Sequence, residues 1–156
     1  MKRCILLWAL LGMSAAAHSS SPSSPGAATV TVSTPWMRAT VPQAKSSGAF
    51  MRLRAASDAR LVDIRSDVAG LAEVHRMEMV GQIMKMRAED GLALPAGKTV
   101  DLTGPRHIML MDLKRQLKPG QVVALTLVIE KPDRTRYAVL VEVPVMPLSY
   151  APPPAP

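Results

Sequence analysis

Gln121-Val122-Val123-Ala124-Leu125-Thr126-Leu127-Val128-Ile129-Glu130 is an almost unbroken apolar run, opened by Lys118-Pro119-Gly120 and closed by Lys131-Pro132-Asp133. A run of this length between strong turn formers reads as a β-strand, and its continuous apolar character predicts a central one. The same punctuation recurs along the chain. Residues 29–33, 48–54, 60–66, 72–79, 83–87, 100–102, 107–113, 122–130 and 137–145 are β-branched or alternating segments separated by Pro, Gly and Asp-containing turns. Nine short strands in this arrangement predict an all-β sandwich.

The ends of the chain read differently. Residues 1–17 have the form of a secretory signal, with Lys2 and Arg3 at the start, a short apolar run over 5–11, and Ala15-Ala16-Ala17 as a cleavage site. Residues 18–27 form a Ser/Pro/Gly-rich flexible lead, residues 28–148 the folded unit, and residues 149–156 a proline-rich tail of which 151–156 are expected not to pack. The apolar run of the signal is well short of the roughly 20 residues that span a bilayer, so the product is expected to be exported to the periplasm rather than embedded in a membrane. The only cysteine, Cys4, lies inside the signal. The mature unit therefore has no disulfide to staple it and no thiolate to offer a metal.

The formal charge of +7 falls by two, to +5, once Lys2 and Arg3 are set aside, and the remaining cations are scattered along the chain. Aromatic residues make up only 3% of the chain, whereas a nucleic-acid binder pairs a concentrated basic stripe with stacking aromatics, so no nucleic-acid partner is expected. The positive surplus better suits an acidic protein surface. Nor does an enzyme emerge: the sequence has neither a Gly-rich phosphate loop nor a nucleophile elbow, and it lacks a cysteine nucleophile.

Chemistry concentrates in two clusters, His75-Arg76-Met77-Glu78-Met79 and His107-Ile108-Met109-Leu110-Met111, with Met84 and Met86 between them. In an extended strand alternate side chains share a face, so His75, Met77 and Met79 align, as do His107, Met109 and Met111, and Met84 with Met86. Imidazole nitrogen combined with thioether sulfur suits Cu(I), a polarizable d¹⁰ ion that gains from soft donors. Methionine is also an ordinary core filler, and Met77, Met79 and Met111 are read here as packing residues. From the residues alone, ligation and ordinary packing both remain open for His75 and His107.

The text Glu73-Val74-His75-Arg76-Met77, Ile83-Met84-Lys85-Met86-Arg87, Leu94-Pro95-Ala96-Gly97, His107-Ile108-Met109-Leu110-Met111-Asp112-Leu113 and Leu117-Lys118-Pro119-Gly120 closely resembles the PCuAC family of periplasmic copper chaperones. Trp36-Met37-Arg38-Ala39-Thr40 and Gly48-Ala49-Phe50 look like the same family's opening strands. The family motif is a histidine, ten residues, a methionine, about 21 residues, then histidine-any-methionine. His75 and Met86 enclose ten residues, while Met86 and His107 enclose 20, one fewer than usual. The resemblance implies a cupredoxin-like Greek-key β-sandwich with His75, Met86, His107 and Met109 as metal ligands, and the shortened spacing leaves Met84 as an alternative.

It further implies a monomeric, non-enzymatic Cu(I) chaperone. Its recipient would be the CuA-bearing subunit of cytochrome c oxidase, with a Sco-type thioredoxin-like protein as a second partner. Copper storage or resistance by buffering is the rival role. The ligands are expected near the mouth of the sandwich, where a recipient could reach the ion. His18, if exposed by cleavage, could chelate Cu(II) through its amine and imidazole, although a chance residue beside a cleavage site is the simpler reading. The tail carries no histidine or methionine after Met146, so no second copper site is expected.

Overall fold

Side-chain alternation decides which face of each strand turns inward. The computed structural model describes residues 30–152, and the expected signal and the whole of the lead lie outside them. Its strands in chain order are β1 (Val30–Arg38), β2 (Ser46–Ala55), β3 (Ala59–Ser66), β4 (Ala69–Val80), β5 (Ile83–Ala88), β6 (Leu92–Leu94), β7 (Thr99–Asp101), β8 (Arg106–Leu113), β9 (Val122–Glu130) and β10 (Arg136–Met146). No helix occurs among the described residues.

The sheet runs β5-β4-β8-β2-β1-β10-β9-β3-β6, with β7 added beside β2, and one pairing of Ile64 with Ala72 joins β3 back to β4. That pairing closes the sheet on itself into a barrel-like sandwich. Sequence-distant strands lie side by side, β8 against β2 and β1 parallel to β10, as a Greek-key path requires. The expected all-β, cupredoxin-like sandwich is what the chain forms. β9 is central, between β10 and β3, and its Val123, Leu125, Leu127 and Ile129 are at most 1% exposed. Met37, Met51, Leu53, Ile108, Leu110 and Val143 meet them in the core.

Two elements depart from the expected pattern. β6 was not anticipated, because three residues between turns carry too little periodicity to register, yet Ala59↔Leu94 and Leu61↔Leu92 pair it to β3. β1 runs on to Arg38 instead of stopping near Ser33. The register shifts between Ser33 and Trp36, with Thr34 at φ 48°, so Pro35 sits in a bulge where its missing N–H costs no ladder bond.

The β4–β5 hairpin positions the chemistry. On β4, Ala72 and Val74 face the core, but the next residue on that side, Arg76, is exposed: beyond Val74 the hairpin leaves the barrel. It turns through Gly81-Gln82, where Gly81 takes φ +65°, a conformation that costs glycine little.

Candidate metal centre

β4 and β8 are antiparallel, and their register sets His75 directly opposite His107. Met77 N donates to Pro105 O (2.7 Å), so by alternation His75 and His107 form a hydrogen-bonded pair, with Cα atoms about 5.5 Å apart. Glu73 faces Met109 one step along the same face. On the other side β5 places Ala88 opposite His75 and Met86 opposite Met77. Met86 is thus diagonal to His75, within reach of a long side chain, whereas Met84 stands a further two residues away, opposite Met79. The register sets Met86 nearer the histidines than Met84.

This face is the outward side of the sheet, because Ile108 and Leu110 take the inward positions of β8 at 0% exposed. The donors therefore sit on the outer face of β5-β4-β8, not at the mouth of the sandwich. The same observation corrects the packing role read for Met77, Met79 and Met111. Met77 and Met111 are half-buried on the outer face and Met79 is 61% exposed, since the core side of these strands belongs to their neighbours.

Although outward, the histidines are sheltered. His107 is buried, and the His75 side chain is 13% exposed. The shelter comes from an aromatic layer: Phe50 lies 5.7 Å from the His107 ring and stacks on Trp36 at 4.2 Å, and Tyr150 meets Trp36 edge-on at 5.0 Å. Arg38 lies over both Trp36 and Phe50. Tyr150 thus packs, just ahead of the proline-rich stretch that begins at Ala151. Gly48 makes room for the layer, since a Cβ there would come within 3.0 Å of the Phe50 ring.

His75 Nε2 is 3.2 Å from Glu73 Oε2. A carboxylate accepts from the ring N–H, so the proton sits on Nε2 and Nδ1 keeps its lone pair. His75 Nδ1 and His107 Nδ1 are both buried without a hydrogen-bond partner. Burial pushes the His107 imidazolium below its ordinary pKa of 6.5; a hydrogen bond with the Gly104 backbone opposes this and the charge of His75 adds to it. The result favours the neutral ring, which is the ligating form.

Two buried imidazole nitrogens with no partner, on residues opposed across a strand pair, fit a metal ion. Among the described residues no group of three or more His, Cys, Asp or Glu side chains is arranged to hold one, and the side chains the register sets beside the pair as further donors are the thioethers of Met86 and Met109. Such a mixed set matches a soft ion rather than Mg²⁺ or Ca²⁺. The sequence reading missed Glu73 and the aromatic layer. Glu73-Val74-His75 carried the signal for the first, since the spacing puts both side chains on one face. Nothing local marked the second.

Fold and face together define a β-sandwich domain with a sheltered pair of histidines and nearby thioethers as its candidate metal site. The chain belongs to the LpqE-like family ("Putative lipoprotein LpqE-like"), whose model matches residues 30–145. A protein of Leifsonia xyli subsp. xyli (strain CTCB07), named "Putative lipoprotein Lxx21020", is 31% identical over 100 residues. That match covers 63% of this chain and 60% of the relative, so the chain spans well under two thirds of its length.

The PCuAC resemblance is met by solved structures of the same fold. The copper-bound PCuAC domain from PmoF2 superposes with a TM-score of 0.61 at 22% identity, covering 76% of this chain and 92% of that one. The apo PmoF2 PCuAC domain gives 0.63 at 21% identity, with 78% and 92% covered. The solution structure of CuI-DR1885 from Deinococcus radiodurans gives 0.51 at 26% identity, with 74% and 76% covered.

Proposed function

We propose that this protein is an exported, non-enzymatic copper chaperone that holds Cu(I) through His75, His107, Met109 and Met86. The observation that carries the reading is the opposed histidine pair, with both Nδ1 atoms buried and unpartnered. The fold shared with a copper-bound PCuAC domain and with CuI-DR1885 supports the choice of metal. Thioethers complete the shell because they stabilise Cu(I) without the thiolate that an oxidising compartment would convert to disulfide.

Release follows from position. Met86 is 46% exposed on an edge strand, while the histidines lie deeper. An incoming ligand can displace Met86 first and the imidazoles last, so the ion passes between proteins without being freed into water. The recipient proposed is the CuA-bearing subunit of cytochrome c oxidase, with a Sco-type thioredoxin-like protein assisting, and the acidic surface of such a partner would meet Arg38, which lies over the aromatic layer beside His107. The protein acts as a monomer in the periplasm.

Cu(I) affinity of the wild type and of His107→Ala tests the site. Loss of a residue that merely orients a ligand weakens metal binding about 10–100-fold, so loss of a ligand should cost more than about 100-fold. Unchanged affinity would remove the site. Copper passing from the loaded protein to an apo CuA domain supports delivery, and retention by the loaded protein would favour buffering instead.

A further inference from the structure

The β4–β5 hairpin carries more sulfur than the histidine site uses. Val80 and Ile83 flank its two-residue turn as a hydrogen-bonded pair, and Glu89 N donates to Val74 O (2.8 Å) at the other end. By alternation Met79–Met84 and Met77–Met86 are the close, non-hydrogen-bonded pairs, with Cα atoms about 4.5 Å apart and side chains on one face.

These methionines do not pack into the core. Met79 is 61% and Met84 57% exposed, although a thioether side chain ordinarily gains by burial. Methionine is not among the residues that pack well on strands either, so strand propensity does not account for it. The opposite face of the hairpin is occupied by ion pairs, Arg87 to Glu78 (2.6 Å) and Arg76 to Glu78 (3.4 Å). That face thus carries these ion pairs, with Lys85 and the exposed Val80 and Ile83 nearer the turn, and the other offers polarizable sulfur to solvent.

We infer that Met79 and Met84, with Met77 as third donor, form a second site for a soft monovalent d¹⁰ ion, Cu(I) or Ag(I), at the tip of the hairpin. Three thioethers with no imidazole and no anion hold such an ion more weakly than the mixed histidine centre. The site lies on the solvent side, and Met77 is the neighbour of both His75 and Met86. An ion caught at the tip therefore has a continuous row of sulfur leading to the histidines. The site stands on the register and exposure of the methionines alone; its use as a landing position rests on the function proposed above.

Titrating the full chain with Ag(I), a redox-inert counterpart of Cu(I), tests the inference. Binding is read by native mass spectrometry and by NMR of ¹³C-methyl methionine and ¹⁵N histidine. Two equivalents are expected, the first moving the histidine rings and the Met86 and Met109 methyls, the second moving Met79 and Met84. Met79→Leu with Met84→Leu keeps the exposed apolar volume, and should retain the first equivalent while weakening the second at least about tenfold. Saturation at one equivalent with Met79 and Met84 unmoved overturns the inference and leaves the histidine centre standing, as does an unaltered second equivalent in the double variant. A response of Met79 and Met84 with silent histidine rings supports the hairpin site and removes the histidine centre instead.

Discussion

Glu73 decides which nitrogen of His75 is free. Its carboxylate, 3.2 Å from Nε2, favours the tautomer whose buried, unpartnered Nδ1 keeps its lone pair. Glu73→Ala should therefore lower Cu(I) affinity about 10–100-fold although the residue is not a ligand in this account. Glu73→Gln keeps an acceptor and should lose less. Copper titration of both variants, with ¹⁵N shifts of His75 to report the tautomer, checks the order; equal affinity in wild type and Glu73→Ala would contradict it. His107 adds a pH dependence. A histidine held below its ordinary 6.5 in the folded chain binds its proton more readily when unfolded. The unfolded state then takes up the extra proton, so the apo protein should lose stability as pH falls through and below that value, with no such contribution above it. Denaturation between about pH 7.5 and about pH 5 measures this slope, which His107→Gln should flatten.

At the scale of elements, the chemistry lies on two strand pairs, and how far they could be read from sequence differed between them. The β8 assignment was direct: His107-Ile108-Met109-Leu110-Met111 alternates cleanly, and Ile108 and Leu110 do face the core. The hairpin was harder. Its period-two pattern aligned Met77 with Met79 and Met84 with Met86, and the register puts the two pairs on one face, but periodicity cannot tell which face is inside. The core side of β4 belongs to Ala72 and Val74, which leaves the methionine face outward. Register was equally illegible, because pairing His75 with His107 depends on strands more than 30 residues apart in sequence. Three-residue β6 and the bulge at Pro35 lay below the resolution of any pattern. The exposed hairpin has a measurable consequence. Under limited peroxide, Met79, Met84 and Met86 should convert to sulfoxide on the order of tenfold faster than Met37 and Met51, which are 0% exposed, and peptide mass spectrometry reads the ratio. Uniform oxidation of all five would contradict the placement.

For the whole molecule, a closed sheet without disulfides is stabilised chiefly by its shared core, and the metal centre is attached to its outer face. The proposed ligands come from β4, β5 and β8, so an ion bound by them would link the protruding hairpin to the barrel. Binding to the folded state alone adds about 2.7 kcal/mol when free Cu(I) is about 100 times Kd. For a domain of this size that should raise Tm by roughly 10 °C. Calorimetry with and without Cu(I) checks it, and His75→Ala should abolish the shift while leaving a folded apo protein. No shift in the wild type would mean that the ion does not bridge these strands.

The nature of the donor shell is the central claim. Copper K-edge X-ray absorption on protein loaded with one equivalent of Cu(I) counts nitrogen and sulfur neighbours directly. The account predicts a mixed shell, two imidazole nitrogens from His75 and His107 and two thioether sulfurs from Met86 and Met109. A shell of sulfur alone, or of nitrogen and oxygen alone, would contradict it.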